Sequence, residues 1–375
     1  MSDADNTATA RHLNDDALTP VPIELSPGPK YARADRTFQG IPGIAATSDR
    51  DLWVTWYGGG GGEGPDNYVT LARSRDGGNT WAEPVLVIDP PLEKVRAFDP
   101  AIWCDPQGRL WVFWAQGWSP ENGQIWDGRG GVWCIISANP NDAEPTWSAP
   151  RRIADGIMLN KPSVTRDGRW LMPVSIWGHK PHHPDVQGRR LAGLVVSDDQ
   201  GETFRWLGGA DVPKDRIFDE HHVYERADAS LVLLARTKRL AARSVSTDRG
   251  ATWPPAEQCD IPCPNSRFNI LRLHSDRLMM VNHHPDAPGS RREPDATARH
   301  NLGVWLSDDE GETWRFRKLL DPRLKVSYPD ADQSPDGTIH VVYDYDRYGE
   351  KNILLASFRE EDLDADAPIQ PAVIS

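Results

Sequence analysis

The sequence predicts an all-β fold, a six-bladed β-propeller, and three observations carry that prediction. A pattern, Ser-x-Asp-x-Gly-x-Thr-aromatic, recurs in one register. Its copies are Ser74/Asp76/Gly78/Thr80/Trp81, Ser197/Asp199/Gly201/Thr203/Phe204, Ser246/Asp248/Gly250/Thr252/Trp253 and Ser307/Asp309/Gly311/Thr313/Trp314. Apolar residues between the copies alternate with period two, bounded by Gly, Pro and Asp, and no segment has helical periodicity. With a degraded copy at Ser137, the repeat serines lie 63, 60, 49 and 61 residues apart. That spacing suits four-stranded blades, and internal repetition at this scale marks radial or solenoid architectures.

The chain then divides in order. Residues 1–20, polar and acidic, read as a disordered leader, and 21–375 as one domain. PVPIEL (21–26) reads as a strand that completes the last blade and holds the ring shut. The first unit runs from IPGIAATSDRDLWVTWYG through YVTLARSRDGGNTW to PVLVI. The second joins DPAIWCDPQGRLWVFWAQ to GVWCIIS, with its Asp turn degraded at Ser137–Trp147. The third pairs KPSVTRDGRWLMPVSIW with LAGLVVSDDQGETF, and the fourth HHVYERADASLVLLART with AARSVSTDRGATW. The fifth pairs FNILRLHSDRLMMVNHH with NLGVWLSDDEGETW. The sixth, YPDADQSPDGTIHVVYDYD with NILLASF, has no Asp turn. Each Asp turn is expected to be structural: Asp accepts backbone N–H groups, Gly supplies positive φ, and the aromatic closes the turn against a neighbour.

Composition narrows the function classes. The 375 residues are 38% hydrophobic and 26% charged, which is globular. Their 42 basic and 55 acidic side chains leave a net charge of −13, against a general nucleic-acid binder or an anionic membrane surface. No run reaches the roughly 18 apolar residues of a membrane span. The N-terminal stretch lacks the apolar core of a signal peptide, so a cytoplasmic location is expected. Cys104, Cys134, Cys259 and Cys263 form no paired metal pattern and are expected to be reduced. Most of the 16 tryptophans are expected to pack between blades; Trp118, Trp126 and Trp177 are the candidate sugar platforms.

In a propeller, residues at the start of each innermost strand converge on one mouth of the channel. These are Gly40, Arg96 with Asp99, Asn160 with Lys161, Glu220 with His221, Arg267, and Tyr328 with Asp330. So many ionisable groups at strand entries point to a site.

Repeated Asp turns in a six-bladed propeller resemble the sialidases (neuraminidases) and their bacterial relatives, over nearly the whole chain after residue 36. The resemblance implies a glycosidase whose tyrosine nucleophile, Tyr328 in SYPD, is activated by Glu220 in DEHHVYER. It implies substrate-binding arginines at Arg236 and Arg299, the latter near Arg291 and Arg292, and Asp344 steadying an arginine. Two departures stand out. Phe38-Gln-Gly40-Ile-Pro42 lacks the arginine of the family's Phe-Arg-Ile-Pro, and the acid's place before the first Asp turn offers only Glu63 and Asp66.

A tyrosine nucleophile suits a reacting carbon that bears a carboxylate, because a neutral phenol avoids like-charge repulsion. Arg96, Lys161, Arg236, Arg267 and Arg299 are candidates for holding an anionic sugar, and Glu63 or Asp99 for supplying the proton. Glu220 or His221 would serve Tyr328 as base. His179, His182 and His183 are candidate ligands of a divalent metal, and His221–His222, His283–His284 and His300 are expected near the same mouth. No other cofactor is implied, and the expected partner is a carbohydrate. The leading expectation is an exo-acting glycoside hydrolase. A uronate lyase on the same scaffold and a non-catalytic glycan-binding propeller are the alternatives.

Overall fold

The computed structural model describes residues 16–119, 128–177, 183–186, 189–287 and 298–375. Six antiparallel sheets follow one another along the chain, each built by consecutive hairpins. Their innermost strands are Gln39–Ala46, Val95–Cys104, Ser163–Val164, Arg216–Glu225, Asn269–Arg272 and Val326–Gln333, which number blades one to six. The blade boundaries agree with the repeat units read from the sequence.

Large apolar side chains fill the space between neighbouring blades. Trp111 and Phe113 line the face of blade two toward blade three, from which Trp170 packs edge-on against Trp111, while Trp114 and Trp133 pack on the side of blade one. Trp53, Trp56, Trp111, Trp114, Trp133 and Trp170 are among the largest fully buried side chains, so the tryptophans serve mainly as wedges between blades.

The N-terminal strand departs from expectation. Ile23–Glu24 pairs with Val87 and Ile88, adding a fifth, outer strand to blade one. The outer strand of blade six is instead Ala372–Val373, paired with Leu354 and Leu355. The ring therefore closes mainly through side chains, with one backbone bond from the Gln39 N–H to the Arg347 carbonyl. Asp330 Oδ2 accepts the Ile44 N–H and Asp332 Oδ2 the Ala46 N–H, each at 2.9 Å. On the outside, the Ser375 hydroxyl meets Arg36 Nη1 at 3.0 Å and Glu83 Oε1 at 2.9 Å. A two-residue pairing is too short to latch a ring, whereas buried carboxylate–amide bonds across the seam are charge-assisted and directional. The end of the expected leader is also ordered. Gln116 Nε2 donates to the carbonyls of Ala17 and Thr19, and Ala17 packs on Val95 and Trp118.

The Asp turns share one hydrogen-bond set. In blade one the carboxylate of Asp76 accepts the Thr80 N–H at 2.8 Å and the Thr80 hydroxyl at 2.6 Å, while Ser74 Oγ accepts the Gly78 N–H at 2.8 Å. Blades three, four and five repeat it. The threonine hydroxyl and then its N–H hold each aspartate down at about 2. In the degraded copy Asn139 replaces the aspartate, and its Oδ1 accepts the Thr146 N–H at 2.9 Å. Strand register sets these turns at one end of the ring. Ala46, Leu52 and Ser74 align at that end of blade one, while Gly40 pairs with Tyr57 toward the other.

Candidate active site

The opposite end of each innermost strand carries a second repeated feature that the Asp turns hide. Six equivalent backbone bonds close the first hairpins: Thr47–Asp51, Asp105–Arg109, Thr165–Arg169, Arg226–Ser230, Leu273–Arg277 and Ser334–Thr338. Six residues before each turn stand Ile41, Asp99, Leu159, Glu220, Arg267 and Tyr328. In blades one, two, four and six this position is a bulge at which pairing slips by one residue. There Ile41, Asp99, Glu220 and Tyr328 have φ of 60, 47, 41 and 52 degrees. Non-glycine residues avoid this region, and such strain gathers where a side chain must be re-aimed. Pro42, Pro100 and Pro329 follow three of the four, fixing the next φ.

Tyr328 stands at the centre. Its hydroxyl lies 3.4 Å from Glu220 Oε1 and accepts a hydrogen bond from Arg236 Nη1 at 3.0 Å. Glu220 and Arg236 are themselves ion-paired, and all three are buried. Burial raises the tyrosine pKa, and the Glu220 charge pushes the same way while Arg236, Arg299 and Arg347 oppose it. The resting phenol is thus neutral, with a carboxylate to accept its proton and a cation against its oxygen. Asn265 buttresses the arginines: its backbone oxygen accepts from Arg236 Nη2 at 2.8 Å and from Arg299 Nη2 at 2.6 Å. The guanidinium carbons of Arg299 and Arg347 each lie 5.1 Å from the centre of the Tyr328 ring.

Asp99 is buried, and burial followed by the Glu63 charge pushes its pKa up to about 8, against the pull of Arg96. At neutral pH it is a carboxylic acid, not a carboxylate. Arg96 lies over the Phe98 ring at 3.8 Å and donates to Asn67 Oδ1 at 3.1 Å. Asn67 in turn binds the carbonyls of Gly59 and Gly62 and so shapes the glycine-rich loop that carries Glu63.

The pattern of the BNR repeat-like domain matches residues 50–341. The chain belongs to the BNR repeat-like family. This family member is 27% identical to a sialidase of Micromonospora viridifaciens, over 88% of the chain and 54% of that relative. It is 24% identical to a sialidase of Bacteroides fragilis, over 74% of the chain and again 54% of the relative. The chain thus spans about half the length of these curated relatives. The solved structure of the Hadza microbial sialidase Hz136 superposes with a TM-score of 0.65 at 19% identity, covering 86% of this chain and 66% of that one. The fold is that of a sialidase-like six-bladed propeller.

Within this BNR propeller several expected site residues serve elsewhere. His221 follows the bulge residue, so its side chain turns into blade three, where Nε2 meets the Gly193 carbonyl at 2.7 Å and Nδ1 meets Ser175 Oγ at 3.4 Å. Burial lowers its pKa to about 4, and it does not serve Tyr328 as base. Arg267 shares the tyrosine's layer, but its guanidinium donates to the carbonyls of Leu159, Pro42 and Tyr328, tying blades three, one and six together. Lys161 lies one layer deeper, aligned with Asp330, and binds Asp330 Oδ2 at 3.2 Å and the Ala331 carbonyl at 2.5 Å. Trp118 is buried against Ala17 and Val95, so it offers no sugar platform. Trp177 is only partly buried, and its ring is 4.8 Å from that of Phe218, which lies 5.5 Å from the Arg236 guanidinium. Trp177 thus stands one ring away from the Arg236 guanidinium.

Among the described residues the histidines do not converge. His222 binds the Phe268 carbonyl, His283 the His300 carbonyl, and His284 pairs with Asp286 beside Trp305. His183 pairs with Asp185, whereas His179 and His182 lie outside the described residues, as do Trp126, Arg291 and Arg292. Among the described residues no three metal-ligating side chains gather, and all four cysteines are free thiols.

Glu63 sits at the mouth as expected, 41% exposed and paired with Arg347 at 2.9 Å. Asp344 does steady an arginine, but that arginine is Arg347, with Nε at 4.0 Å from Asp344 Oδ2. Its other partners are the Ile41 N–H at 2.9 Å and the Ser327 hydroxyl at 2.5 Å, so it positions neighbours and does not face a ligand. Arg347 and Asn265 are the residues that strand-entry reasoning missed. Arg347 sits in a hairpin between Ile339–Tyr345 and Asn352–Phe358, where an arginine ordinarily reads as solvated. Only the vacancy at Gly40 hinted at it.

Proposed function

We propose that the protein is an exo-acting glycoside hydrolase that removes a terminal anionic sugar through a tyrosine-linked intermediate. The observation that carries this reading is the buried Tyr328–Glu220–Arg236 constellation, aimed into the channel by paired left-handed bulges in blades four and six. The sialidase relatives support the reaction class.

In the first step Glu220 takes the phenolic proton, and the Tyr328 oxygen bonds the anomeric carbon. The glycosidic C–O bond breaks, its electron pair staying on the leaving oxygen, and Asp99 protonates that oxygen. Arg236 stabilises the phenolate character that develops. Asp99, now a carboxylate, takes a proton from water, whose oxygen attacks the same carbon. The tyrosine–carbon bond breaks, and Glu220 returns the proton to the phenolate. Arg236 and Arg299 hold the sugar carboxylate by charge-assisted hydrogen bonds.

The test is a panel of aryl glycosides of carboxylated sugars, followed by trapping with a fluorinated analogue that slows the second step. Release of the aryl alcohol, with the sugar mass added to Tyr328, is the expected result. An unsaturated, ultraviolet-absorbing product without a tyrosine adduct overturns hydrolysis in favour of elimination. Binding without turnover of any panel member favours a glycan-binding module.

A further inference from the structure

Blade one contributes no charged side chain at its bulge, which is Ile41 preceded by Gly40. The space that a side chain at Gly40 would occupy is nevertheless full. A Cβ there would lie 2.3 Å from Arg347 Cδ, 2.7 Å from its Cγ and 2.9 Å from Asp344 Oδ2. The φ at Gly40 is not positive, so the backbone tolerates any residue, and it is the Arg347 stem, with the Asp344 carboxylate behind it, that demands glycine.

Arg347 reaches this space from the neighbouring blade. Its backbone carbonyl accepts the Gln39 N–H at 3.3 Å, which fastens its hairpin to the start of the first innermost strand. Glu63 and Asp344 bracket its guanidinium, and its carbon lies 5.1 Å from the Tyr328 ring centre, matching Arg299 at 5.1 Å and Arg236 at 5.8 Å. Three guanidiniums thus surround the one phenol, while the fourth nearby, Arg267, is occupied by backbone carbonyls. Glu63 is partly exposed and reachable by solvent, so its pairing with Arg347 is the one a bound anion can replace at least cost.

From this geometry we infer that Arg347 is a substrate-binding residue, the third guanidinium holding the carboxylate of the substrate, and that Gly40 is glycine to admit it. Glu63 then positions Arg347 while the site is empty and exchanges this partner when the carboxylate arrives. Positions 40 and 347 form one unit, in which a side chain at either excludes the other. The inference rests on the anionic-sugar reading above.

The experiment compares binding of free sugar acids with that of their methyl esters, which keep the shape and lose the charge. The probes are N-acetylneuraminic acid, its deaminated analogue, 3-deoxy-octulosonic acid and glucuronic acid, titrated calorimetrically into the full chain. The wild type is expected to prefer at least one acid over its ester by about 10-fold or more, the scale of a charge-assisted bidentate contact. Arg347→Gln and Gly40→Ala should both abolish most of that preference, the latter by displacing the guanidinium. The double variant Gly40→Arg/Arg347→Ala should recover part of it. Thermal melts identify any variant that is unfolded, and because a Cβ at residue 40 also crowds Asp344 Oδ2, the Arg347→Gln arm, which adds no atom there, isolates the loss of the guanidinium.

An acid preference that survives both single variants overturns the role of Arg347 while leaving the hydrolase reading intact. Absence of any acid preference in the wild type overturns the anion clamp and Arg347 with it. An acid preference lost in both single variants, in a protein that turns over no glycoside, upholds Arg347 and sinks only the hydrolase reading.

Discussion

The two ends of the innermost hairpins follow opposite rules. At one end the Asp turns repeat the same chemistry blade after blade, each carboxylate satisfied by its own threonine and serine. At the other end the same backbone position carries Ile41, Asp99, Leu159, Glu220, Arg267 and Tyr328, six different residues. The turns are local and interchangeable, so their repetition serves closure of the fold. The bulge positions meet across a channel, so each acts by differing from its neighbours. Left-handed φ at non-glycine residues occurs at both ends, but at Gln200, Arg249 and Glu310 it recurs at one place in the Asp turn, whereas at Asp99, Glu220 and Tyr328 it aims three different side chains.

The sharpest way to break the comparison is to alter the bulge residues. Tyr328→Phe removes one oxygen and keeps the packed ring, and kcat/KM should fall about 10³-fold or more with an unchanged melt. Near-wild-type turnover would sink the tyrosine mechanism. Glu220→Gln should cost about 10²–10³-fold in rate and also lower the melting temperature, since Arg236 loses the partner of a buried ion pair.

Asp99→Asn comes next, with a loss of about 10² on substrates whose leaving group needs protonation and less on aryl glycosides. The wild-type rate should decline on the alkaline side near pH 8, where Asp99 ionises, and the variant should lack that limb. Stability carries the same signature. The folded carboxyl holds its proton up to about pH 8 whereas the unfolded one releases it near 4, so the folded state binds more protons in that window and loses stability as pH rises through it. Asp99→Asn should therefore gain melting temperature relative to wild type at pH 8 but not at pH 4. An equal shift at both would show that Asp99 titrates normally.

The smallest effect is expected at the other end. Asp199→Ala removes the acceptor of the Thr203 N–H and hydroxyl. The melting temperature should fall by a few degrees, while kcat/KM per folded molecule stays constant. A change in KM would show that the two ends are coupled.

Much of the site was legible in the sequence because strand-entry residues of a propeller must converge. Tyr328 and Glu220, expected from strand entry, lie together with Arg236 and Arg299, which only the family resemblance pointed to, and burial raises the pKa of Asp99, the strand-entry carboxyl of blade two. The errors have different causes. Along a bulged strand, one residue's slip reverses which face a side chain takes, and so His221, next to Glu220, turned into blade three. Lys161, on the third blade, lies two residues past Leu159 and so falls one layer deeper, at Asp330. Arg267 was placed correctly, but its guanidinium is taken up by the carbonyls of Leu159, Pro42 and Tyr328, and neither sequence nor spacing reports that.

By itself the sequence determined the blade count, the six units and the degraded second turn, because each rests on hydrogen bonds between residues only a few positions apart. The turn residues therefore carry their structure with them. Tertiary structure alone decided how the ring closes, which cation faces the tyrosine, and why residue 40 is glycine. Those outcomes join residues 286 and 307 positions apart, Ile44 with Asp330 and Gly40 with Arg347, that become neighbours only when blade six returns to blade one.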